Sequence, residues 1–517
     1  MPKKVLLLGT GIALLISFLY QPTLRAFFVS DDFYLWRTVK NLSFWESLRL
    51  FLPPVLGGIS VVAHTGHQAP LSGWVFWLLT VPLAMKPLAA HSLSLLLDLF
   101  NTFLVSILNY RLTRNTKISL LSALIFGTIP FISEAVNYTS AILFLLVTGF
   151  YISALISIHH YLITPKKIWL LMHFVCFYLS LLSAEIAITL PLATLALLVT
   201  AKKKNPLVLL STHKKLFLGH IIIISVYSIF WILTLGTINI FNSSGRFELT
   251  TISRIFLYYL IIVGGLLFIR LRFAQIIPNQ LKRAEWPFWL FVSLITISWL
   301  PMAKFFTQQR YLYLPASFAA MAVGYIFLVV KLNLNNWGRR LLIATLGLTL
   351  SIDSLLLYQN SLIWLTAGNT AYQLVKQVAH QLNANAVTPV YLINLPDSIN
   401  GAYVYRSYFS EALEFYRGKP TPQFIFTPPT IGVNIQTNIT GPREMRLTSR
   451  DGFMLFKPTY NTHGQRVIEW PTKYHATEIN PQQLDVKFVD STFSWQTSAI
   501  YIFENGKIIK PEFKDLR

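Results

Sequence analysis

The sequence predicts an α-helical polytopic membrane protein with about eleven transmembrane helices and a C-terminal extracytoplasmic α/β domain. Hydrophobic residues make up 54% of the chain and charged residues only 12%, a balance unlike that of a water-soluble globular protein. Apolar runs recur up to residue 358, and from residue 359 onward the chain is polar with alternating, strand-like runs. Lys and Arg, 43 against 21 Asp and Glu, fall in short clusters between the apolar runs.

The basic clusters predict the orientation of the chain. Cytoplasmic loops of membrane proteins carry an excess of Lys and Arg, so Lys3 and Lys4 place the amino terminus in the cytoplasm. Because these loops account for the excess of Lys and Arg, the positive charge does not indicate a nucleic-acid partner. The single cysteine, Cys176, lies inside an apolar run, where we expect a small hydrophobic side chain, and it excludes a disulfide framework within the chain.

The first apolar run, residues 5–20, is predicted to be a transmembrane helix because no small-residue cleavage pattern follows it. Residues 31–87 then form an extracytoplasmic first loop. Within this loop, residues 71–85 are apolar but shorter than the roughly twenty residues that cross a bilayer. We predict an interfacial helix there, because a crossing would turn the basic loop at Arg111 and Arg114 outward and invert every later loop.

The remaining spans follow from the alternation of apolar runs and basic loops. They are predicted at residues 88–109, 117–132, 138–160, 167–183, 185–200, 215–237, 252–271, 286–302, 311–331 and 339–358. This arrangement places all the basic clusters on the cytoplasmic side. It defines a transmembrane module over residues 1–358.

A change in composition marks the end of this module. A connecting helix is predicted over residues 359–385, followed by an extracytoplasmic α/β domain over residues 386–517. The expected elements of that domain are a strand at 387–395, a helix at 402–417, a strand at 423–427, and a closing hairpin of 499–503 and 507–509 with a type I′ turn at Glu504-Asn505-Gly506.

Carboxylates and a basic-aromatic cluster share the predicted outer face. These residues are Asp31 and Asp32, Glu134 with Asn137 and Tyr138, Glu185, and Lys304 with Arg310, Tyr311 and Tyr313. A partly desolvated carboxylate can act as a general base toward a hydroxyl or amine, and Arg or Lys can hold a phosphate leaving group. Taken alone, an Asp-Asp pair after a first span is more often a solvated loop feature than a catalytic one.

Five short motifs place these residues in a wider pattern. They are Ser30-Asp31-Asp32, His67-Gln68-Ala69-Pro70-Leu71, Pro130-Phe131-Ile132-Ser133-Glu134-Ala135-Val136, Ser183-Ala184-Glu185-Ile186-Ala187-Ile188-Thr189-Leu190-Pro191 and Gln309-Arg310-Tyr311-Leu312-Tyr313-Leu314-Pro315. In this order they resemble the membrane-embedded GT-C glycosyltransferases. Within that superfamily the resemblance is to the protein O-mannosyltransferase-like group and to the transmembrane O-mannosyltransferases that carry tetratricopeptide repeats. It covers roughly residues 1–360.

The resemblance implies roles for individual residues. Asp31 would be the catalytic base that activates the acceptor, with Asp32 supporting it or touching a divalent metal such as Mg or Mn. Glu134 would be the second acidic position of the catalytic set. Arg310, Tyr311 and Tyr313 would lie near the lipid phosphate, and the expected substrate site is completed by Lys304, Glu185, His67, Tyr138 and Asn137.

The chain also departs from the family pattern. The family has Lys before the Glu of the fourth motif, where this chain has Ala184, and Lys304 is the candidate replacement. The C-terminal part shows no tetratricopeptide period, so the resemblance ends before it. His64 and His67 offer only two ligands without a third, which argues against a zinc site.

One further carboxylate, Asp98, lies in the middle of a predicted span with Asn101 one turn later. A charge there costs about 2.5–3.5 kcal/mol on insertion scales, so Asp98 is expected to face the helix bundle or to be protonated. Helix–helix hydrogen bonding and a role at the site are both open to it.

The function predicted from these features is an inverting transfer of a sugar from a polyprenyl-phosphate carrier to an extracytoplasmic acceptor at the plasma membrane, in contact with membrane lipids. No nucleotide site is expected, because no phosphate-cradling glycine loop is present. The alternatives are a lipid-linked oligosaccharide polymerase or ligase with a diphosphate donor, a transporter, and a non-catalytic scaffold. A transporter would need more polar residues at mid-membrane than the spans provide.

Overall fold

The protein is described here from a computed structural model. The described residues are 3–59, 69–202, 205–235, 285–299, 308–382, 390–406, 408–422, 424–427, 430–453, 459–460, 466–470, 473–490, 493–496, 498–504 and 507–509. They form two compact units. Unit 1 comprises Met1–Gln21 and Asn41–Ser361, and unit 2 comprises Pro22–Lys40 and Leu362–Arg517.

Helices dominate the described part of unit 1. In chain order the described helices of both units are α1 Lys3–Leu19, α2 Asp31–Val39, α3 Phe44–Ser47, α4 Pro70–Thr80, α5 Pro87–Thr113, α6 Thr116–Thr128, α7 Glu134–Asn137, α8 Ile142–Ile163, α9 Lys167–Ser183, α10 Leu190–Lys202, α11 Pro206–Thr212, α12 Lys214–Leu235, α13 Glu285–Trp299, α14 Tyr313–Asn333, α15 Asn336–Gln381 and α16 Phe409–Arg417. Short 3-10 turns lie between several of them, at Pro130–Ile132, Glu185–Thr189 and Gln309–Leu312.

Within the described residues, six helical segments are long and apolar enough to cross a membrane. They contain α5, α8, α10, α12, α14 and α15. A seventh candidate is the pair formed by α6 and the segment Pro130–Asn137, which is bent by 58° at its break. The apolar parts of α1, α9 and α13 are shorter. The chain is therefore a multi-pass membrane protein.

The positions of these helices agree with the predicted spans, but the predicted number of about eleven spans is not confirmed. The predicted span at 252–271 lies outside the described residues. α4 has 11 residues, too few to cross a bilayer, in keeping with the interfacial helix predicted there. The predicted span at 339–358 and the predicted connecting helix are one continuous helix, α15.

Close helix contacts build the core of unit 1. A Cβ at Gly324 of α14 would collide with the Ser122 hydroxyl of α6, so only glycine allows this approach. Across α5 and α6, the Asn109 amide donates to Ser122 Oγ at 2.6 Å. α12 and α15 expose many apolar side chains, as expected for helix surfaces that contact lipid.

Three sheets and α16 make up much of the described part of unit 2. The strands are β1 Val390–Ile393, β2 Pro396–Ile399, β3 Ala402–Tyr403, β4 Phe424–Phe426, β5 Thr430–Ile431, β6 Ile435–Gly441, β7 Glu444–Ser449, β8 Thr459–Tyr460, β9 Arg466–Trp470, β10 Tyr474–Asn480, β11 Gln483–Phe488, β12 Ala499–Glu504 and β13 Lys507–Ile509. The sheet orders are β13-β12-β1-β4, β6-β7-β11-β10-β9-β8 and β3-β2-β5. β1 pairs in parallel with β12 and β4, whereas the described pairs of the six-stranded sheet are antiparallel.

The helix predicted at residues 402–417 is wrong in its first half. Residues 402–403 form β3, and the helix begins only at Phe409. The backbone N–H groups of Val404 and Tyr405 donate to Asp397 and Pro396, and the Val404 carbonyl accepts from Ser30. These backbone groups are therefore committed to neighbouring chain segments and cannot form helical bonds.

The segment 22–40 belongs to unit 2 because its aromatic residues pack against the C-terminal part of the chain. The rings of Phe28, Phe33 and Trp36 lie 5.9, 5.8 and 5.1 Å from that of Phe415. Gly368 of α15 permits the backbone of Phe27 to approach, since a Cβ there would lie 2.6 Å from the Phe27 nitrogen. The segment that carries Asp31 and Asp32 thus folds with residues more than three hundred positions later.

Candidate active site

The predicted site residues fall into two groups, one in each compact unit. Asp31 and Asp32 lie in unit 2 on α2. Glu134, Asn137, Tyr138, Glu185, Arg310, Tyr311 and Tyr313 lie in unit 1. His67 and Lys304 lie outside the described residues, so their assignment stays a prediction. Each group is described by itself.

Asp31 and Asp32 occupy the first turn of α2. Carboxylates are favoured there because the helix dipole leaves partial positive charge at the N-terminus. The preceding residue, Ser30, has φ 45° and ψ −115°, an uncommon conformation for a residue other than glycine. Its N–H donates to the Val404 carbonyl at 3.0 Å, which ties the start of α2 to the segment that follows β3 in the same unit.

The two carboxylates have different surroundings. Asp32 is buried, and its Oδ2 accepts the Val29 N–H at 3.1 Å. Asp31 is only partly buried, and Ser30 Oγ approaches its Oδ1 at 3.5 Å. Asp32 thus has a structural bond at the helix start, while Asp31 is the carboxylate that a solute can reach more easily.

Two tyrosines accompany Asp31. The Tyr34 and Tyr408 rings lie 5.0 Å apart, and Tyr408 has a left-handed backbone conformation with φ 67°. Burial raises the pKa of the Tyr408 hydroxyl, and the negative charge of Asp31 raises this pKa further. The Tyr408 hydroxyl, like that of an ordinary tyrosine, is protonated at neutral pH and can act as a hydrogen-bond donor.

Ion pairs fix the outer face of α2 to α16. Arg37 Nη1 lies 2.5 Å from Glu411 Oε1, and Lys40 pairs with Glu414. The Lys40 ammonium also lies 4.5 Å from the centre of the Trp36 ring. The orientation of α2 within unit 2 is thereby fixed on its charged face as well as on its aromatic face.

In unit 1 the fold brings Glu134 and Arg310 together. Glu134 starts α7, directly after the break that follows α6, and Arg310 lies in the 3-10 turn before α14. Arg310 Nη1 is 2.5 Å from Glu134 Oε1, and the Arg310 backbone N–H donates to Glu134 Oε2 at 3.2 Å. Both side chains are 9% exposed. A buried charge-assisted pair of this kind fixes the geometry of both groups.

Aromatic rings surround this pair. The Arg310 guanidinium carbon lies 5.4 Å from the centre of the Tyr138 ring and 5.7 Å from that of Tyr311, within the range of cation–π interaction. Tyr311 packs edge-on against Phe144 of α8 at 5.0 Å. Asn137 and Tyr138 are both 1% exposed. The two sequence motifs around residues 134 and 310 thus form one buried cluster.

Tyr313 and Glu185 lie in other surroundings. Tyr313 is fully buried, and its hydroxyl donates to Asp98 Oδ1 at 2.5 Å. Of the two roles open to Asp98, the structure therefore shows helix–helix hydrogen bonding. Glu185 begins the 3-10 turn between α9 and α10 and is partly buried.

The described residues contain no group of three or more His, Cys, Asp or Glu side chains arranged to hold a metal ion. Asp32 has one oxygen committed to the Val29 N–H, which leaves Asp31 as the more accessible carboxylate oxygen donor of the pair. A divalent metal bound by the pair would be held by Asp31 and by the Asp32 oxygen that does not accept the Val29 N–H. No step of the chemistry below depends on one.

Sequence reasoning missed three residues of unit 2: Tyr34 and Tyr408, whose rings contact each other near Asp31, and Glu411, which pairs with Arg37 of α2. A usable signal was present in the spacing of charges. Arg37 and Lys40 are three apart, as are Glu411 and Glu414, so two helices could match their opposite charges.

No protein-family model and no curated protein sequence matches the chain. Among solved structures, the fold is similar to that of ArnT from Cupriavidus metallidurans bound to undecaprenyl phosphate, with 11% identity, 82% of this chain and 86% of that chain covered, and a TM-score of 0.47. For the apo state of the same protein the identity is 13%, with 81% of this chain and 85% of that chain covered and a TM-score of 0.45. For the Archaeoglobus fulgidus oligosaccharyltransferase tethered with an acceptor peptide the identity is 11%, with 84% of this chain and 64% of that chain covered and a TM-score of 0.44.

Proposed function

We propose that the protein is an integral-membrane glycosyltransferase of the GT-C type. It takes a sugar from a polyprenyl-phosphate carrier and attaches it, with inversion, to an extracytoplasmic acceptor. Asp31 is the general base, Asp32 orients the start of α2, and Arg310 binds the phosphate of the carrier with Glu134 holding it in place. A hexose of the mannose type is the donor sugar suggested by the sequence resemblance.

The observation that carries this proposal is the Glu134–Arg310 pair. The two residues are 176 positions apart and come from two separate motifs of the resemblance, yet they share a buried ion pair with two hydrogen bonds. Both lie at breaks between apolar helices, where non-helical backbone in a membrane protein is tolerated when it is buried in protein or lines a cavity. An arginine fixed at such a break is suited to bind the phosphate of a lipid whose chains lie in the bilayer.

The proposed reaction is a single displacement. The acceptor oxygen or nitrogen forms a bond to the anomeric carbon while Asp31 removes its proton. The bond between the anomeric carbon and the phosphate oxygen breaks, and the lipid phosphate leaves with the electron pair. Arg310 stabilises the charge that develops on this leaving group, which is the point at which a positioned cation lowers the barrier.

The division of labour between the two aspartates is supported by their surroundings. Asp31 is partly exposed, so an acceptor can reach it, whereas the buried Asp32 is bound to the Val29 N–H. Burial and the negative charge of Asp31 raise the pKa of the Tyr408 hydroxyl, so this hydroxyl remains a hydrogen-bond donor. This hydroxyl can orient the carboxylate or contact the acceptor.

The test is turnover by the purified full-length protein in lipid nanodiscs. Undecaprenyl-phosphate and undecaprenyl-diphosphate sugars are supplied separately, and the release of the lipid carrier is measured. The proposal predicts release from a monophosphate donor and a large loss of it in Arg310→Gln. Release from diphosphate donors alone would favour the polymerase or ligase. No release from any donor, together with sugar-independent binding of a partner protein, would favour the scaffold.

A further inference from the structure

One face of α5 carries a stripe of buried polar residues. Their successive spacings of three, four, three, one and seven positions place all of them on one side of the helix. All are at most 5% exposed. The residues are His91, Ser94, Asp98, Asn101, Thr102 and Asn109. Polar side chains within a membrane-spanning helix are costly and commonly mark functional positions. This face of α5 is therefore directed toward the other helices for reasons beyond apolar packing.

Asp98 and Asn101 connect α5 to two other helices. The Tyr313 hydroxyl of α14 donates to Asp98 Oδ1 at 2.5 Å. The Asn101 amide donates to the Leu145 carbonyl of α8 at 2.9 Å and lies 3.4 Å from the Tyr313 hydroxyl. Phe126 of α6 packs edge-on against the Tyr313 ring at 5.2 Å. The Tyr313 side chain is thus fixed by hydrogen bonds at its hydroxyl and by the packing of its ring.

The same tyrosine is bonded to Arg310 through the backbone. Tyr313 follows the 3-10 turn Gln309–Leu312, and its N–H donates to the Arg310 carbonyl. A continuous path therefore runs from the Asp98 carboxylate through the Tyr313 side chain and backbone to Arg310. Glu134 holds Arg310 at the guanidinium, so the residue is fixed at both ends.

The cluster contains polar atoms that its own bonds do not satisfy. Asp98 Oδ2 and Asn101 Oδ1 are buried and have no hydrogen-bond partner among the described residues. Such atoms destabilise a fold, and apolar residues of similar shape could have filled the same space at lower cost. The arrangement is better explained by a need to hold Tyr313 in one place than by stability.

We propose that Asp98 is a positioning residue that fixes Arg310 for the carrier phosphate by anchoring Tyr313. This inference rests on the proposed function, since it gives Arg310 the role of phosphate ligand. It also assigns Tyr313 to the support of Arg310 and not to direct contact with substrate.

The experiment measures the Kd of undecaprenyl phosphate for the purified full-length protein in nanodiscs. Asp98→Ala and Tyr313→Phe should each weaken binding by about tenfold, and the double variant should be no weaker than either, because both remove the same bond. Asp98→Asn should bind within about threefold of wild type, since its amide oxygen still accepts from the Tyr313 hydroxyl. In an Arg310→Gln background, Asp98→Ala should have no further effect.

Asn109→Ala is the matched control. Asn109 is a buried polar residue of the same helix face, but it bonds to Ser122 of α6. Its removal should lower the melting temperature and leave the Kd unchanged. Tyr313→Phe removes only a hydroxyl group, so it remains informative if Asp98→Ala does not fold.

Two kinds of failure are distinguishable. If Arg310→Gln weakens binding and neither Asp98→Ala nor Tyr313→Phe does, the positioning role is wrong and the proposed function stands. The positioning role is also wrong if Asp98→Ala weakens binding equally in the Arg310→Gln background. If the wild-type protein shows no saturable binding of undecaprenyl phosphate, the proposed function and the inference fall together.

Discussion

At the scale of single residues, the two neighbouring aspartates of α2 have different environments and should respond differently to substitution. Asp32→Ala removes the acceptor of the buried Val29 N–H, so we expect a loss of about 1–3 kcal/mol in the free energy of unfolding of unit 2. Asp31→Asn should change stability far less, because Asp31 is partly exposed. Thermal unfolding in detergent compares the two, and an equal effect of both would contradict this assignment.

A second residue-scale prediction concerns the buried Glu134–Arg310 pair. Glu134→Gln leaves the Arg310 charge buried without its partner, which should cost about 3–5 kcal/mol of stability. The double variant Glu134→Gln with Arg310→Gln should recover much of this loss, since no buried charge remains. Unfolding measurements on the two single variants and the double variant give the coupling energy. Losses that simply add would show that the pair is not coupled.

Sequence reasoning identified both members of this pair, but not their contact. Each was found as part of a short motif at the end of an apolar run. Their direct bond depends on how α6, α7 and α14 pack, and no local pattern encodes that packing. In the same way, the mid-span position of Asp98 indicated a partner inside the bundle, whereas its identity as Tyr313 required the fold.

At the scale of helices, the approach of α14 to α6 depends on Gly324. Gly324→Ala would push a Cβ into the Ser122 hydroxyl, so we expect a loss of about 1–3 kcal/mol. Ser122→Ala should lessen the effect of Gly324→Ala in a double-mutant cycle. Gly347→Ala on α15 is the control, since its Cβ would meet nothing within 4 Å and alanine favours the helix. A Gly324→Ala variant as stable as the Gly347→Ala variant would contradict this packing.

The elements themselves were predicted unequally. Apolar runs with basic ends are strong local signals, and helices lie at each predicted span that the structure describes. Residues 402–406 were misjudged as helix because the backbone groups of Val404 and Tyr405 bond to β2 and to Ser30, which is remote in sequence, and not within a helix. The sequence did not allow the individual strands of the antiparallel sheet between residues 435 and 488 to be predicted. Its alternation of buried and exposed residues is interrupted by irregular register at Gly441 and Asn480.

At the scale of the whole molecule, the grouping of residues 22–40 with residues 362–517 was not predictable from local patterns. It depends on contacts such as those of Phe28 and Phe33 with Phe415, which join ends of the chain that no motif connects. This grouping gives the C-terminal part of the protein a defined role. It supports the helix that carries Asp31.

The predicted orientation can be tested by cysteine labelling, because the only native cysteine, Cys176, is buried and can be replaced by serine. In that background, Lys419→Cys in unit 2 should react with a membrane-impermeant maleimide on intact cells that express the full chain. Lys166→Cys, in a basic loop between α8 and α9, should react only after permeabilisation, because basic loops remain in the cytoplasm. Labelling of Lys166→Cys but not of Lys419→Cys on intact cells would contradict the predicted orientation of the chain.

The most direct test of the central claim is the turnover of Asp31→Asn in nanodiscs with the polyprenyl-phosphate sugar that the wild-type protein uses. The matched control is Asp485→Asn, which removes a partly exposed carboxylate on β11 of the same unit. If Asp31 is the base, Asp31→Asn should lose a factor of about 10²–10⁴ in kcat and still bind undecaprenyl phosphate, while Asp485→Asn keeps wild-type turnover. Unchanged turnover of Asp31→Asn would contradict the assignment of Asp31 as the base.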